Sequence, residues 1–414
     1  MTTTRRHRCA LLRLPLAVSA ALVVFAGCAP QEDTVTSECI AAVESGLIEI
    51  PSPVELFDAS YVHADTFDTH TLTDRMAELK VPGVSVAVID DGELAWAKGY
   101  GVLSADGDAP VTTESIFQAA STSKLLTGIM ALHFVEQGVF DLDTDVNEYL
   151  TSWKLPETEF TRDQKVTLRL LLTHRAGLPT TNFADFTPET APGIPEILNG
   201  GAGNEPATPM RPLGDEWVYS NLGCIIVQLM FEDTLGRPIS ELADEVLFEP
   251  LGMTSTSYGY PLPPDRAARE AMPHDSDGIA RQPLMDYVAF GHAGVMTTPT
   301  DMAKLYLELM RSYDGESDLV LSPAMTRRMF TPIFEIEPSP IAAPISEGLG
   351  VFLRGEGDAL MFFHHGGATP GSNSLPVGLP NAGKGAIIMT NGFGGDALFM
   401  EILASIIREY DWPI

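Results

Sequence analysis

Positive charge is scarce in this chain. Against 56 Asp and Glu stand only 25 Lys and Arg, a formal net charge of −31 over 414 residues. Nucleic acid and anionic membrane surfaces repel such a chain, so neither is an expected partner. Metal-ligand spacing is missing too: the nine histidines form no HExxH or comparable pattern, and no metal or other cofactor is expected. No Gly-x-Ser-x-Gly elbow occurs, which counts against an α/β-hydrolase. Cysteines number four, too few for a disulfide-built scaffold. What remains is a hydrophobic content of 45% with 20% charged residues, enough to fold a large core.

The N-terminus reads as a targeting segment. Arg5, Arg6, Arg8 and Arg13 precede LPLAVSAALVVFAG, an apolar run too short to span a bilayer comfortably and ending in small residues. Residues 1–27 are therefore expected to be a signal peptide. The stretch FAGC, Phe25 to Cys28, resembles a lipobox, which implies cleavage before Cys28 and lipid attachment to its thiol. The expected location is the cell envelope, facing the periplasm, with membrane contact only through that lipid. The alternative is an ordinary secretory signal and a soluble secreted protein. Cys39 and Cys224 could pair in an oxidising compartment, although Cys224, in NLGCIIVQLM, also reads as a small buried thiol.

Residues 28–60 are acidic and carry Pro30, Pro51 and Pro53, which reads as an acidic tether or a wrapping arm ahead of a domain over 61–414. A helix is expected around Thr69 to Leu79. VSVAVID and ELAWAKGYG then flank Asp91-Gly92, a hairpin signal. LGVFLRG, ALMFFHH and GAIIMTNG read as later strands. Leu398, Phe399, Ile402, Leu403, Ile406, Ile407 and Tyr410 share one face of a closing helix. Strands at both ends with mostly helical pattern between them predict an α+β fold. Its antiparallel sheet is flanked by helices and completed by both termini, and a mostly helical insert makes a second lobe. Within that insert, the Pro- and Gly-rich stretch from Thr181 to Glu216 reads as a lid or substrate wall.

Ser121-Thr122-Ser123-Lys124 is the only Ser-x-x-Lys in the chain. With this serine and lysine content chance alone gives roughly 0.4 occurrences, so the motif by itself proves little. Its placement adds weight. TSKLLTGIMALHFVEQG is a good helix, which puts Ser121 at the first turn with free N–H groups and a favourable dipole. Residues three apart share a helix face, so the Lys124 amine can reach the Ser121 oxygen, and a buried lysine there could act as a base. The plainer reading makes Ser121 or Ser123 an N-cap and Lys124 a solvated surface residue. Two more stretches bear on the choice. WVYSNLG offers Tyr219 and Asn221 at a loop-to-helix start. FFHHGGATPGSNS offers His365-Gly366-Gly367 at a strand end, where glycines allow close approach to the backbone.

In this order and spacing the three stretches resemble the motifs of the serine β-lactamase and penicillin-binding protein superfamily, in its class C β-lactamase-like branch. VTLRLLLTHRAGLP, LFEPLGMTSTSYG, GHAGVMTTPTDMAKLY and the stretch from PGSNS to IIMTNG look like further family segments, so the likeness runs from about Thr69 to Tyr410. The resemblance implies that Ser121 is acylated and that Lys124 and Tyr219 share the proton traffic, either being a possible base. It implies that Asn221 holds Lys124 and touches substrate, that the Ser121 and Ala368 amides form the oxyanion hole, and that His365, Gly366 and Gly367 bind substrate. His174, in the THRAGLP stretch, would tempt a triad reading, but the family uses that segment structurally.

The departures bear on substrate. Where β-lactamases of this type carry Lys-Thr-Gly, this chain has His365-Gly366-Gly367. A neutral imidazole attracts a carboxylate less than an ammonium does, and Gly366 has no hydroxyl to donate. An ordinary histidine there would favour carboxylate substrates only below its own pKa. The expected protein is thus an exported serine hydrolase, with carboxylesterase the leading activity on small esters or amides. The alternatives are a DD-peptidase or weak β-lactamase acting on cell-wall peptides or β-lactams, and, in another class, a non-catalytic envelope lipoprotein that binds peptides.

Overall fold

The computed structural model describes residues 31–56, 58–64, 66–180, 190–201, 205–284, 288–337 and 345–414. Cys28 and the expected signal peptide over residues 1–27 lie outside the described residues, as do parts of the Thr181 to Glu216 stretch. Asp91 and Gly92 both take positive φ, 56° and 72°, and so turn β1 (Gly83–Asp90) back into β2 (Glu93–Gly101). Two short strands, β3 (Phe117–Gln118) and β4 (Ser257–Tyr258), pair with β5 (Val295–Thr297) in a small sheet of the insert. The remaining strands of the large sheet follow in the C-terminal third: β6 (Phe334–Ile336), β7 (Ile345–Glu347), β8 (Phe352–Arg354), β9 (Phe362–His364), β10 (Gly367–Thr369), β11 (Ser372–Leu379) and β12 (Lys384–Thr390). Their order is β2-β1-β12-β11-β9-β8-β7-β6, with β10 paired to β11, and every pairing is antiparallel. β1 thus pairs β12, and the two ends of the chain complete the sheet as expected.

Alternation along the central strands sends side chains into two cores. Ala87, Ile89, Ile387 and Met389 face the helical insert, while Val84, Val86, Val88, Ala386 and Ile388 face the terminal helices. The helix Gly395–Glu409 covers that second face with Leu398, Ile402, Leu403 and Ile406. It is tied to the helix Leu72–Glu78 by a buried fork, in which Arg75 Nε and Nη2 donate to Glu401 Oε2 at 2.8 Å and Oε1 at 2.6 Å.

Residues 31–56 of the acidic stretch follow the wrapping-arm reading and not the tether. Gln31–Ser45 is a helix, and Cys39, Val43, Leu47, Ile48 and Ile50 are buried against the C-terminal helix side of the sheet. Ser405 Oγ donates to Val43 O at 3.0 Å and Arg408 Nη1 to Gly46 O at 3.2 Å, so residues 31–56 belong to the folded body. Cys39 and Val43, four apart, share one side of this helix, Leu47 follows it in a bridge to His70, and burying them outweighs the solubility of the acids around them. The expected pairing of Cys39 with Cys224 is not formed: Cys224 is a free, buried thiol in the helix Asn221–Leu235. Among the described residues no helix is long and apolar enough to cross a membrane.

Candidate active site

β3 delivers the chain to a short 3-10 turn, Ala120–Thr122, which runs directly into the helix Ser123–Glu136. Ala120 takes φ 49°, a conformation a residue with a Cβ adopts rarely and one that clusters at functional sites. Ser123 pins it: its Oγ donates to Ala120 O at 2.7 Å and accepts from Val295 N at 3.0 Å. Ser123 is fully buried in that role, whereas Ser121 keeps part of its surface open. Of the two serines, only Ser121 can meet a substrate.

Lys124 is 2% exposed, which excludes the solvated-lysine reading. Its Nζ donates to Ser121 Oγ at 3.0 Å and to His292 O at 3.0 Å. Burial pushes the amine down to about 8, because the charged form loses its hydration. Nζ also lies 4.8 Å from the centre of the Tyr219 ring. Tyr219 sits two residues before the helix Asn221–Leu235, and burial raises its phenol above the ordinary range while a hydrogen bond with Ser121 opposes that. Asn221 opens the same helix and is buried. The structure therefore brings Ser121, Lys124 and Tyr219 together from two segments of the insert.

His365 and the two glycines come from the large sheet. β10 is bonded to β11 and lies alongside the Ser121 turn, so close that a Cβ on Gly367 would stand 2.1 Å from Ala119 O and 2.9 Å from Ser121 N. Ala368 follows on β10 with its residue exposed, opposite Asn373 in register. Two side chains clamp this junction. Thr122 Oγ1 donates to His365 O at 2.8 Å and lies 2.7 Å from Ser374 Oγ, which in turn donates to Ala119 O at 2.8 Å. Gln118 adds a second tie, its Oε1 accepting from Thr369 Oγ1 at 3.0 Å.

The histidines divide by burial. His174 Nδ1 accepts from Ser220 N at 3.2 Å, and burial together with the Lys124 charge pushes the ring down to about 3. It is a neutral backbone prop rather than a triad member. His365 is 2% exposed, and burial and then the Lys124 charge hold its ring well below the ordinary histidine range. Its Nδ1 lies 2.9 Å from Gly366 O; a carbonyl only accepts, so Nδ1 carries the proton and Nε2 of the neutral ring is an acceptor. The pH-dependent advantage expected of an ordinary histidine is thereby removed. Among the described residues no group of His, Cys, Asp or Glu could hold a metal ion.

The His292 carbonyl, the Thr122–Ser374 clamp and the Gln118 tie have no signature in the sequence. A backbone acceptor leaves no residue code, and the clamp joins positions some 250 residues apart. The positive φ at Ala120 is equally hidden, since nothing about an alanine announces it.

Comparison with known proteins agrees with this geometry. The Beta-lactamase family model matches residues 69–407. Penicillin-binding protein 4 of Amycolatopsis lactamdurans is 26% identical over 350 residues, covering 80% of this chain and 86% of its own. ML-236A carboxylate methylbutanoyltransferase of Penicillium citrinum is 28% identical over 352 residues, covering 76% of this chain and 77% of its own. The octameric penicillin-binding protein homologue from Pyrococcus abyssi superposes with a TM-score of 0.69 at 22% identity, covering 81% of this chain and 76% of that one. The chain belongs to the β-lactamase family of serine hydrolases and acyltransferases, within the serine β-lactamase and penicillin-binding protein superfamily.

Proposed function

We propose that the protein is an exported serine hydrolase that acylates Ser121, with carboxylesterase activity on small esters or amides lacking a free carboxylate. One observation carries the reading: a buried lysine amine 3.0 Å from the oxygen of a partly open serine. Once deprotonated, Lys124 takes the Ser121 proton as Oγ attacks the substrate carbonyl. The Ser121 and Ala368 amides receive the developing oxyanion. Tyr219, whose raised pKa keeps it protonated, hands a proton to the leaving group, and water then releases the acyl chain. Asn221 holds this group of side chains against the substrate. The leader places the enzyme in the envelope, anchored through lipid on Cys28. A non-catalytic binder would have no use for a desolvated amine at such cost.

With Lys124 as base, the rate follows its deprotonated form. Below about 8 the amine is protonated, so kcat/KM should rise about tenfold per pH unit and level off above it. His174 and His365 stay neutral across this range and add no second limb. A pH profile of p-nitrophenyl ester hydrolysis checks this; a flat profile between roughly pH 6 and 9 removes Lys124 from the role.

The curated relatives include a penicillin-binding protein, which favours a second reading, a DD-peptidase or weak β-lactamase. The two part at His365 and Gly366. His365→Lys with Gly366→Thr supplies a cation and a hydroxyl where a carboxylate would dock. A charge-assisted hydrogen bond contributes roughly 1.5–3 kcal/mol, so the ratio of kcat/KM for nitrocefin to that for a short p-nitrophenyl ester should rise about ten- to a hundredfold. A wild type that already prefers nitrocefin, or an unmoved ratio in the double variant, favours the cell-wall reading.

A further inference from the structure

The segment that carries Tyr219 has no regular structure of its own. Residues 217–220 lie outside helix and strand, and their backbone is tied to the stretch 174–180. Val218 N donates to His174 O at 2.9 Å, and Thr180 Oγ1 donates to Tyr219 O at 2.9 Å. These bonds fix the chain but not the phenol. The Tyr219 ring is bounded by other rings, with His174 at 4.5 Å, Trp217 at 6.1 Å and His365 at 6.4 Å between centres. Trp217 is tied in turn to the large sheet. Its Nε1 donates to Glu347 Oε2 at 3.1 Å, and its ring lies 6.3 Å from that of Phe352. Glu347 ends β7 and pairs with Phe334 on β6 and Phe352 on β8, so its carboxyl stands on a backbone held from both sides.

A glutamate is an unexpected residue at this place. Glu347 is wholly buried, its Oε1 has no hydrogen-bond partner among the described residues, and burial raises its carboxyl well above the ordinary range. A buried carboxyl with an oxygen left idle destabilises a fold, and a leucine would fill the space without that loss. The side-chain bond that Glu347 does make is directed at the indole next to Tyr219. We infer that Glu347 is a positioning residue: through the Trp217 indole it holds the Tyr219 phenol where it can pass a proton to the leaving group. An indole has a single N–H, in the plane of its ring, so one acceptor at Nε1 sets the orientation of the whole ring system. The oriented indole then occupies the space into which the phenol could turn. Only an acceptor is required for this, not a charge, which suits an acid kept neutral by burial. The inference rests on the reading of Tyr219 as proton donor given above.

The test separates esters by how much they need that proton. p-Nitrophenoxide leaves unprotonated and ethoxide does not, so kcat/KM for ethyl acetate depends on Tyr219 far more than kcat/KM for p-nitrophenyl acetate. The two esters share an acyl group, and the readout is the ratio of the first value to the second, from released acetate. A well-placed general acid contributes about a hundred- to ten-thousandfold. Tyr219→Phe should forfeit most of this, and Glu347→Leu and Trp217→Phe should each lower the ratio at least about tenfold. The double variant should fall no further than either single one, because both remove the same bond. Glu347→Gln, which keeps an uncharged acceptor for the indole, should hold the wild-type ratio. Equal losses on the two esters in Glu347→Leu and Trp217→Phe, or a ratio that falls as far in Glu347→Gln as in Glu347→Leu, overturns the positioning role. If Glu347→Leu does not fold, Trp217→Phe decides by the same comparison. A ratio unmoved by Tyr219→Phe itself means that the proton-donor reading has failed, and the role of Glu347 falls with it.

Discussion

Ser121→Ala should abolish labelling by a fluorophosphonate probe and lower ester turnover by roughly three to six orders of magnitude, the range seen when the nucleophile of a catalytic unit is removed. The physical reason is that no other hydroxyl stands in its place. Ser123 is fully buried and spends its oxygen on Ala120 O and Val295 N. Lys124→Met should fall nearly as far, because Ser121 then has no base within reach, and groups that act as a unit do not lose activity additively. Ser123→Ala gives the contrast. It should retain labelling at a reduced rate, since the hydroxyl it removes only fixes the turn. Labelling that survives in Ser121→Ala and vanishes in Ser123→Ala would reverse the assignment.

A single methyl group on β10 should also be damaging, though less so. In Gly367→Ala the new Cβ would meet Ala119 O at 2.1 Å, Ser374 Oγ at 2.8 Å and Ser121 N at 2.9 Å, and two of these are backbone atoms that cannot step aside. The strand must move away from the nucleophile turn, taking the Ala368 amide with it. Loss of one oxyanion donor costs about a hundred- to a thousandfold in kcat. The fall should therefore appear in kcat rather than KM, with the far-ultraviolet circular dichroism unchanged. Gly366→Ala, whose Cβ would meet only ordinary contacts at 3.5 Å and 3.7 Å, should cost much less. Equal losses in the two variants would mean that the close approach of Gly367 to Ser121 has no catalytic weight.

The fold was legible where local pattern and tertiary demand agree. The Asp91-Gly92 turn, the alternating strand VSVAVID and the apolar face of the closing helix each carry their own period, and the structure keeps all three. Ser121 and Lys124 were legible because a spacing of three on a helix is itself a contact. The wrapping-arm alternative was legible at Gln31–Ser45, but its helix was not, because its acids and the prolines around it mask the buried Cys39 and Val43, which a spacing of four would have disclosed. Glu347 was hidden more deeply. An acid on a short strand normally faces water, and its partner Trp217 is 130 residues away in sequence. The neutrality of His365 likewise depends on burial that its neighbours impose, not on anything in His-Gly-Gly.

The most direct test is the mass of the protein caught in the act. Incubation with a slowly hydrolysed p-nitrophenyl ester, acid quench and intact-mass measurement should show one added acyl group per chain. Peptide mapping should then place that group on the peptide carrying Ser121, and Ser121→Ala should show no addition. An acyl group found on any other residue, or rapid ester turnover with no acyl-enzyme in either quenched or pre-steady-state samples, would contradict covalent catalysis by Ser121.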